Sequence, residues 1–297
     1  MHLITFLENN QTRIGVLDRE QQQVVDLRVA APDLPDTMLD FIAQGEAALA
    51  QARRAWHSGQ GRLALDRVQL LSPIPRPRRN IVCIGKNYRA HVQELQAAGS
   101  SLATADKHAL PERPIFFTKA TTCVIGPNAP IPASLDPTAS ADYEGELAVI
   151  IGRGGRGITT AQAMQHVFGY TILNDVTSRR LQREHQQWFL GKSLDGFCPL
   201  GPAILTADAV AEVRQLRVQT RVDGEPRQDD VVASLIFDIP CMIETLARTM
   251  TLEPGDILAT GTPAGVGMGF TPPRFLQPGN TVSITIEPIG TLTNPVS

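Results

Sequence analysis

The segment Asp142–Ile151 constrains the fold of this chain more than any other. Its valine, isoleucine and tyrosine residues favour a β-strand, and alternate side chains of a strand share a face, so Glu144 and Glu146 lie side by side. That face continues through Ala148 and Ile150, which indicates burial. Neighbouring carboxylates on a partly apolar face repel each other unless a cation neutralises them. The segment therefore predicts either a site for a hard divalent metal or a solvated strand face.

The composition is that of an ordinary globular protein, and it excludes several classes of function. Of the 297 residues, 42% are hydrophobic and 19% are charged, and the formal net charge is -3, so no nucleic-acid partner is expected. The four cysteines have no C-x-x-C spacing, which favours reduced thiols over zinc or redox sites. The N-terminal segment lacks the features of a secretion signal, and no run of about 18 apolar residues occurs. We expect a soluble, cytoplasmic protein with no membrane partner.

Residues 1–72 predict a small N-terminal α/β domain. Residues 38–56 carry apolar side chains at helical spacing. Three short apolar runs predict a meander of antiparallel strands, at residues 2–7, 13–17 and 23–27. The prolines of residues 73–77 disfavour regular hydrogen bonding, so a domain boundary is predicted there. The chemistry is expected in a catalytic domain at residues 73–297.

A predicted helical turn carries two residues with the chemistry of a general base. His91 and Glu94 stand three residues apart, which places them on one side of a helix. A carboxylate beside an imidazole fixes its tautomer and raises its basicity. On spacing alone, a solvated surface pair remains the alternative. The segment 97–113 is rich in alanine, serine and glycine, and it predicts a mobile loop that can act as a lid.

Arginine far outnumbers lysine in this chain, so Lys86, Lys119 and Lys192 are expected to have roles beyond solubility unless codon bias is the cause. Lys119 ends a predicted strand and is either an anchor for an anionic substrate or an edge charge. Lys192 lies among the glycines and prolines of residues 187–202, which hold the backbone in tight turns. It is either an electrophile or proton donor, or a solvated loop lysine.

The strand at residues 169–175 delivers Asp175 at its end, where ligands and catalytic groups are commonly presented. If a helix begins at residue 176, Arg179 and Gln182 fall on the same face as Asp175. A planar guanidinium there suits a substrate carboxylate, and an intrahelix salt bridge is the alternative.

The C-terminal part of the chain predicts many strands and few helices. Asp238 caps one helix, and a strand at residues 257–260 leads into a Gly-rich loop. The loop's backbone at Gly261 and the side chain of Thr262 could hold a carboxylate, although ordinary turns use the same residues. The pattern favours a β-rich sandwich or barrel over a doubly wound sheet.

Six motifs resemble those of the fumarylacetoacetate hydrolase family, and they occur in the family's order. They are Gly85-x-Asn87-Tyr88-x-x-His91-x-x-Glu94, Phe117-x-Lys119, Asp142-Tyr143-Glu144-x-Glu146-Leu147-Ala148, Asn174-Asp175-Val176-Thr177-x-Arg179-x-x-Gln182, Gly191-Lys192-Ser193-x-Asp195-x-Phe197-x-Pro199-x-Gly201-Pro202 and Thr260-Gly261-Thr262-Pro263-x-Gly265-Val266-Gly267. Each motif is weak alone, but six in order are very specific. The resemblance covers about residues 73–297, and Ala120 departs from it where a proline often follows the lysine.

The resemblance implies a mixed, β-rich α+β fold whose catalytic domain is a β-roll or sandwich, usually as a homodimer. It implies that Mg²⁺ or Mn²⁺, with Ca²⁺ possible, is bound by Glu144, Glu146 and Asp175. Lys192 is then the catalytic lysine, and His91 with Glu94 is the dyad of an acylpyruvase-like branch. The positions that match substrate contacts are Arg179, Gln182 and Thr262, and we add Lys119 and Gly261 to them.

A 2,4-diketo acid is the substrate class that these residues suit. Its carboxylate and C2 oxygen can chelate a metal, which stabilises an enolate as the C3–C4 bond breaks. His91 would activate water, and Lys192 would stabilise charge or protonate the pyruvate enolate. The expected reaction is hydrolysis of an acylpyruvate to pyruvate and a carboxylic acid, in aromatic or sugar-acid breakdown. The alternatives are decarboxylation of an oxaloacetate-type 2-keto diacid, isomerisation of a 2-hydroxydienoate, or metal-dependent binding of small acids without catalysis.

Overall fold

The computed structural model describes residues 1–97 and 110–297 of the chain. Residues 98–109, the centre of the predicted lid segment, lie outside the described residues. The strands are β1 (His2–Glu8), β2 (Gln11–Asp18), β3 (Gln23–Asp26), β4 (Arg62–Ala64), β5 (Gln69–Leu70), β6 (Ile81–Gly85), β7 (Ile115–Lys119), β8 (Val124–Ile125), β9 (Ala141–Asp142), β10 (Gly145–Ile151), β11 (Val167–Asn174), β12 (Thr177–Ser178), β13 (Cys198–Thr206), β14 (Arg217–Val222), β15 (Glu225–Val231), β16 (Ile257–Ala259), β17 (Thr281–Ile286) and β18 (Gly290–Pro295). The helices are α1 (Leu27–Ala30), α2 (Met38–Gln44), α3 (Glu46–Ser58), α4 (Arg89–Ala97), α5 (Thr160–Ala163), α6 (Arg179–Glu184), α7 (Phe189–Lys192) and α8 (Ile239–Ala247).

Strands dominate the architecture, as the sequence pattern predicts. One large mixed sheet has the strand order β4-β3-β2-β1-β13-β11-β10-β16-β6-β7, and β5 and β8 pair with β1 and β13 beside this path. A separate antiparallel sheet has the order β15-β14-β17-β18, and β9 pairs with β12. The prediction of a mixed α+β, β-rich fold is confirmed. Across the described ranges, no helix combines the length and apolar character needed to cross a bilayer.

Strand β10 is buried along its whole length because each of its two faces contacts a different hydrophobic core. Leu147 and Val149 belong to a core shared with the four-stranded sheet. Ala148 and Ile150 point the opposite way, into a core shared with the N-terminal helices. The alternation follows from the pleat of a strand, whose successive side chains face opposite sides. Strand β10, which follows Glu144 and contains Glu146, therefore lies between the two hydrophobic cores.

The predicted N-terminal meander is confirmed, since β1, β2 and β3 pair in an antiparallel order. Its first strand also joins the large sheet, because β1 pairs with β13 through His2 and Leu205. A second link is Phe41, which is fully buried and packs edge to face on Phe168 at 6.4 Å between ring centroids. The division of the chain into domains at residue 72 stays a prediction.

The helix predicted over residues 38–56 is in fact two helices, α2 and α3. Gly45 separates them with a φ of 57°, a conformation that glycine adopts at little steric cost. It ends α2 and precedes the first residue of α3. The apolar spacing continued across this break, so periodicity alone did not reveal it.

We predict that Phe41→Ala will destabilise the whole chain, because it removes a fully buried ring from the core between the N-terminal helices and the large sheet. The expected cost is about 3–5 kcal/mol in the free energy of unfolding. Chemical denaturation followed by fluorescence and circular dichroism measures it. Val29→Ala is the control, because Val29 is 54% exposed, and it should change stability by less than about 0.5 kcal/mol. An early transition confined to residues 1–72, with the rest unfolding as in the wild type, would show instead that this segment folds separately.

Candidate active site

Three carboxylates converge where β10 begins and β11 ends. The two strands are antiparallel, with Gly145 opposite Asn174, so Glu144 and Asp175 flank the same end of the pair. The backbone there is fixed because the Asn174 side chain accepts a hydrogen bond from the Glu144 amide at 3.0 Å. Glu146 lies two residues after Glu144, on the same face of the strand. All three side chains are buried, and each has an oxygen within 4.8 Å of the others.

Three buried cations contact this carboxylate cluster. The Nζ of Lys192 lies 2.7 Å from Glu144 Oε2 and 2.6 Å from Asp175 Oδ2. Lys119 Nζ lies 2.7 Å from the other oxygen of Asp175, and Arg179 Nη1 lies 2.5 Å from Glu144 Oε1. Buried ion pairs of this kind are costly to break, because the remaining charge is left without a partner.

The cations neutralise two of the three carboxylates, Glu144 and Asp175, and leave Glu146 without an ion-pair partner among the described residues. Burial raises the pKa of Glu144, but Arg179 and Lys192 outweigh this effect and hold it well below its usual range. Burial, followed by the charges of Asp175 and Glu144, raises the pKa of Glu146 well above its usual value. Among the described residues, no lysine or arginine forms an ion pair with Glu146. Its Oε2 accepts a hydrogen bond from the Gly261 amide, at 2.8 Å.

The donor set fits a hard divalent cation. Carboxylate oxygens are the ligands that Mg²⁺, Mn²⁺ and Ca²⁺ prefer, and a cation beside Glu146 would offset both the burial and the repulsion that raise its pKa. A cavity lies beside the carboxylates, and Arg179 and Gln182 are among its lining residues. In the described parts of the chain, Arg179 Nη2 and Gln182 Oε1 are buried without a hydrogen-bond partner. Unsatisfied buried groups are rare, so these two atoms indicate a ligand position next to the carboxylates.

The predicted dyad is formed on α4. His91 Nδ1 lies 3.1 Å from Glu94 Oε2, so the other ring nitrogen, Nε2, takes no part in this contact. His91 lines the same cavity as Glu144 and Glu146. The other carboxylate oxygen of Glu94 accepts a hydrogen bond from the Gly265 amide at 2.8 Å. Glu94 thus joins α4 to the Gly-rich loop after β16.

Asp142 is a buried residue of the site that the sequence reasoning did not single out. It accepts hydrogen bonds from the amides of Gly267 at 2.7 Å and Met268 at 3.0 Å, and from Arg179 Nε at 2.8 Å. It therefore fixes both the Gly-rich loop and the guanidinium of Arg179. Its position two residues before Glu144, in a run of alternate acidic residues, is a signal that could have identified it.

The residues predicted to bind substrate differ in where they lie. Arg179, Gln182 and Thr262 line the cavity. Thr262 is already engaged, since its hydroxyl donates to the carbonyl of Gly145 and accepts from Gln228. The Gly261 amide binds Glu146 directly.

Lys119 is fully buried behind Asp175 and is absent from the described lining of the cavity. Its Nζ also donates to the carbonyls of Val176 and Lys192. Burial lowers the pKa of Lys119, but the charge of Asp175 more than compensates and raises it. These contacts describe a cation that supports Asp175, and its substrate contact stays a prediction.

The helix predicted to begin at residue 176 begins instead at Arg179. Thr177 and Ser178 form β12, which pairs with β9 at Asp142 and Ala141. This pairing turns the chain before α6 starts. Arg179 and Gln182 still share a face, because they are three residues apart in α6.

Comparisons with known proteins assign the chain to a family. Residues 80–297 match the model of the fumarylacetoacetate (FAA) hydrolase C-terminal domain. The chain belongs to the fumarylacetoacetate hydrolase family. It is 45% identical over 301 residues to oxaloacetate tautomerase YisK of Bacillus subtilis strain 168, with 97% of each chain covered.

Two solved structures of this family superpose on the whole chain. Fumarylacetoacetate hydrolase from Exiguobacterium antarcticum has a TM-score of 0.83 at 42% identity, covering 100% of this chain and 99% of its own. Maleylpyruvate hydrolase from Sphingobium sp. SYK-6, in complex with manganese(II) and pyruvate, has a TM-score of 0.79 at 30% identity and covers 100% and 98%. A metal-binding acidic group is thus present in this chain, and one relative of the same fold binds Mn²⁺.

We predict that Mn²⁺ or Mg²⁺ will stabilise the protein through the carboxylate cluster. At a metal concentration about 100 times the Kd, the gain is about 2.7 kcal/mol, which raises the Tm by several degrees. Binding should weaken as the pH falls, because Glu146 must lose its proton. Differential scanning calorimetry with and without metal measures both effects.

Glu146→Gln is the decisive variant because it removes the charge and keeps the size. Without metal it should melt at or above the wild-type temperature, and metal should no longer stabilise it. Glu184→Gln, on an exposed position of α6, is the matched control and should respond to metal as the wild type does. An undiminished metal effect in Glu146→Gln would contradict this assignment.

A second prediction concerns the contact between Gly269 and the dyad. A Cβ at Gly269 would lie 2.1 Å from Glu94 Oε1, so Gly269→Ala must push the Glu94 carboxylate away from its partners. The fold should tolerate this, since only the end of a side chain moves. Turnover should fall about 10- to 100-fold, because an unoriented base loses much of its effect. Steady-state kinetics and the Tm test this together. Gly155→Ala is the control, as its Cβ would meet only ordinary contacts. An active Gly269→Ala enzyme would refute the role of this contact.

Proposed function

We propose that this protein catalyses the interconversion of the enol and keto forms of oxaloacetate or a closely similar 2-keto acid, in the presence of a divalent cation. The observation that carries the proposal is the 45% identity to an oxaloacetate tautomerase over 97% of both chains. The site supports it, because a possible base and a cationic hydrogen-bond donor line one cavity. Both hydrolysis and tautomerisation of such substrates pass through an enolate.

The reaction requires one proton to move at C3 of the substrate and another at the C2 oxygen. A divalent cation held by Glu144, Glu146 and Asp175 would supply a Lewis acid that withdraws charge from the substrate. His91, oriented by Glu94, accepts or returns the proton at C3. Lys192, which contacts Glu144 and Asp175, would give a proton to the C2 oxygen as the enol forms and take it back as the keto form returns. Arg179 Nη2, which has no hydrogen-bond partner among the described residues, would donate to the C1 carboxylate, and Gln182 would donate to it through its side-chain Nε2.

Hydrolysis of an acylpyruvate to pyruvate and a carboxylic acid is the second candidate. It is supported by the similarity to maleylpyruvate hydrolase and by the ordered dyad, because His91 could activate water as well as move a proton. The decarboxylase and isomerase alternatives use the same enolate without that water. Under either candidate we propose an enzyme that acts as a homodimer, which sedimentation equilibrium would test.

We predict that the Mn²⁺-loaded enzyme will accelerate loss of the enol absorbance of oxaloacetate without forming pyruvate. His91→Ala should reduce this rate by about 10²- to 10⁴-fold, the usual contribution of general acid–base catalysis. His185→Ala, on an exposed position, should retain full activity. The assay combines ultraviolet absorbance with enzymatic detection of pyruvate.

The same preparation should be tested on a panel of acylpyruvates, oxaloacetate and 2-hydroxydienoates. If oxaloacetate enol decays at its uncatalysed rate while an acylpyruvate yields pyruvate, the tautomerase proposal is wrong and hydrolysis takes its place. Pyruvate release from oxaloacetate would identify a decarboxylase, and a shifted dienoate double bond an isomerase. Binding of these acids without turnover would leave a binding protein.

A further inference from the structure

Lys86 is a cation of the candidate active site that the proposed chemistry does not use. It follows β6 and lines the same cavity as Glu144, His91 and Lys192. Its side chain is partly buried, and burial lowers its pKa. A partly buried ammonium carries a desolvation cost that an anion would offset.

The other cations at the site already have carboxylate partners. Lys119, Arg179 and Lys192 each lie within 2.8 Å of at least one buried carboxylate oxygen. In the parts of the chain that the structure describes, no carboxylate lies in ion-pair contact with Lys86. Its positive charge is therefore available to a ligand in the cavity.

The backbone holds Lys86 in an unusual conformation. Its φ is 58°, in the left-handed region that side chains other than glycine seldom adopt. The next residue fixes this turn, since Asn87 is fully buried and its amide donates to the carbonyls of Phe237 and Thr260. Asn87 Oδ1 also accepts from the Phe237 amide. Strain of this kind persists only where the surroundings impose it, and it is concentrated at functional positions.

The remaining walls of the cavity restrict what else could bind an anion there. Ile84, Leu95, Phe117 and Trp188 are among its lining residues and offer mostly apolar surface. Trp188 packs edge to face on Phe117, with ring centroids 5.2 Å apart, and it leaves no space for a Cβ at Gly85. If a substrate carries a second anionic group at the end away from the carboxylate cluster, Lys86 is the cation that would bind it.

We propose that Lys86 binds the second carboxylate of the substrate and so selects 2-keto acids that are dicarboxylates over those that are monocarboxylates. This inference rests on the proposed function, because it assumes that the C1 carboxylate of a 2-keto acid lies at the carboxylate cluster. Lys86 is a residue for specificity and takes no part in proton transfer.

The test compares two unreactive acids that differ only at the far end. Malate and lactate both carry a 2-hydroxy acid group, and only malate has a second carboxylate. Titration calorimetry of the Mn²⁺-loaded protein measures the Kd of each. Lys86→Met removes the charge, keeps the side-chain length and leaves the same backbone requirement. It should raise the Kd for malate by about 10- to 100-fold, the loss expected for a charged hydrogen bond, and change the Kd for lactate by less than about twofold.

Two further variants separate charge from packing. Lys86→Arg keeps the charge and should preserve most of the preference for malate. Arg76→Met removes an exposed arginine from the proline-rich segment and should change neither Kd. An equal rise in the Kd values for malate and lactate in Lys86→Met, or no change in either Kd, would overturn the proposal. So would a wild-type protein that binds malate no more tightly than lactate.

The turnover assay distinguishes this proposal from the proposed function. If the wild type fails to turn over oxaloacetate but Lys86→Met weakens malate binding and not lactate binding, the tautomerase proposal is wrong and the assignment of Lys86 stands. If oxaloacetate is turned over and Lys86→Met changes neither its KM nor malate binding, the assignment of Lys86 falls alone. With Lys86 in this role, the KM for oxaloacetate should rise about 10-fold or more, with a smaller change in kcat.

Discussion

The repulsion among buried carboxylates is the constraint on which this structure depends. Asp142, Glu144, Glu146 and Asp175 are all removed from water at one end of the β10–β11 pair. Such a group of charges would not stay buried without compensation, because desolvation alone costs several kcal/mol for each ion. The compensating cations come from β7, α6 and α7, so three separate segments must pack around the same point. Glu146 remains without a cation of its own among the described residues, and this deficit is what a divalent metal would correct.

The sequence was informative wherever local geometry decides the outcome. Glu144 and Glu146 share a face because side chains alternate along a strand, and Asp175 reaches them because it follows the last residue of the neighbouring strand. The contact between His91 and Glu94 was expected from spacing, since residues three apart meet on a helix, but spacing alone did not distinguish a dyad from a solvated surface pair. These short-range rules indicated which side chains lie together, and the family resemblance supplied their expected roles.

Sequence reasoning was weaker where distant contacts decide. The start of α6 at Arg179 depends on the pairing of β12 with β9, which no local pattern predicts. The position of Lys119 behind Asp175 depends on the register of β6 and β7, so the same lysine could as easily have faced a substrate. The pairing of β1 with β13 likewise joins residues about two hundred positions apart. Gly45 interrupted a helix whose apolar spacing continued across it.

The hydrogen bond from the Gly265 amide to Glu94 has a consequence for how the protein acquires its activity. The two residues are 171 positions apart, yet the orientation of His91 depends on their contact. A chain still emerging from the ribosome, or one shortened before residue 265, would contain every candidate metal ligand and both members of the dyad. It would nevertheless lack the amide that holds the dyad in place. The proton transfer proposed for His91 would therefore require that the loop following β16 has docked on Glu94.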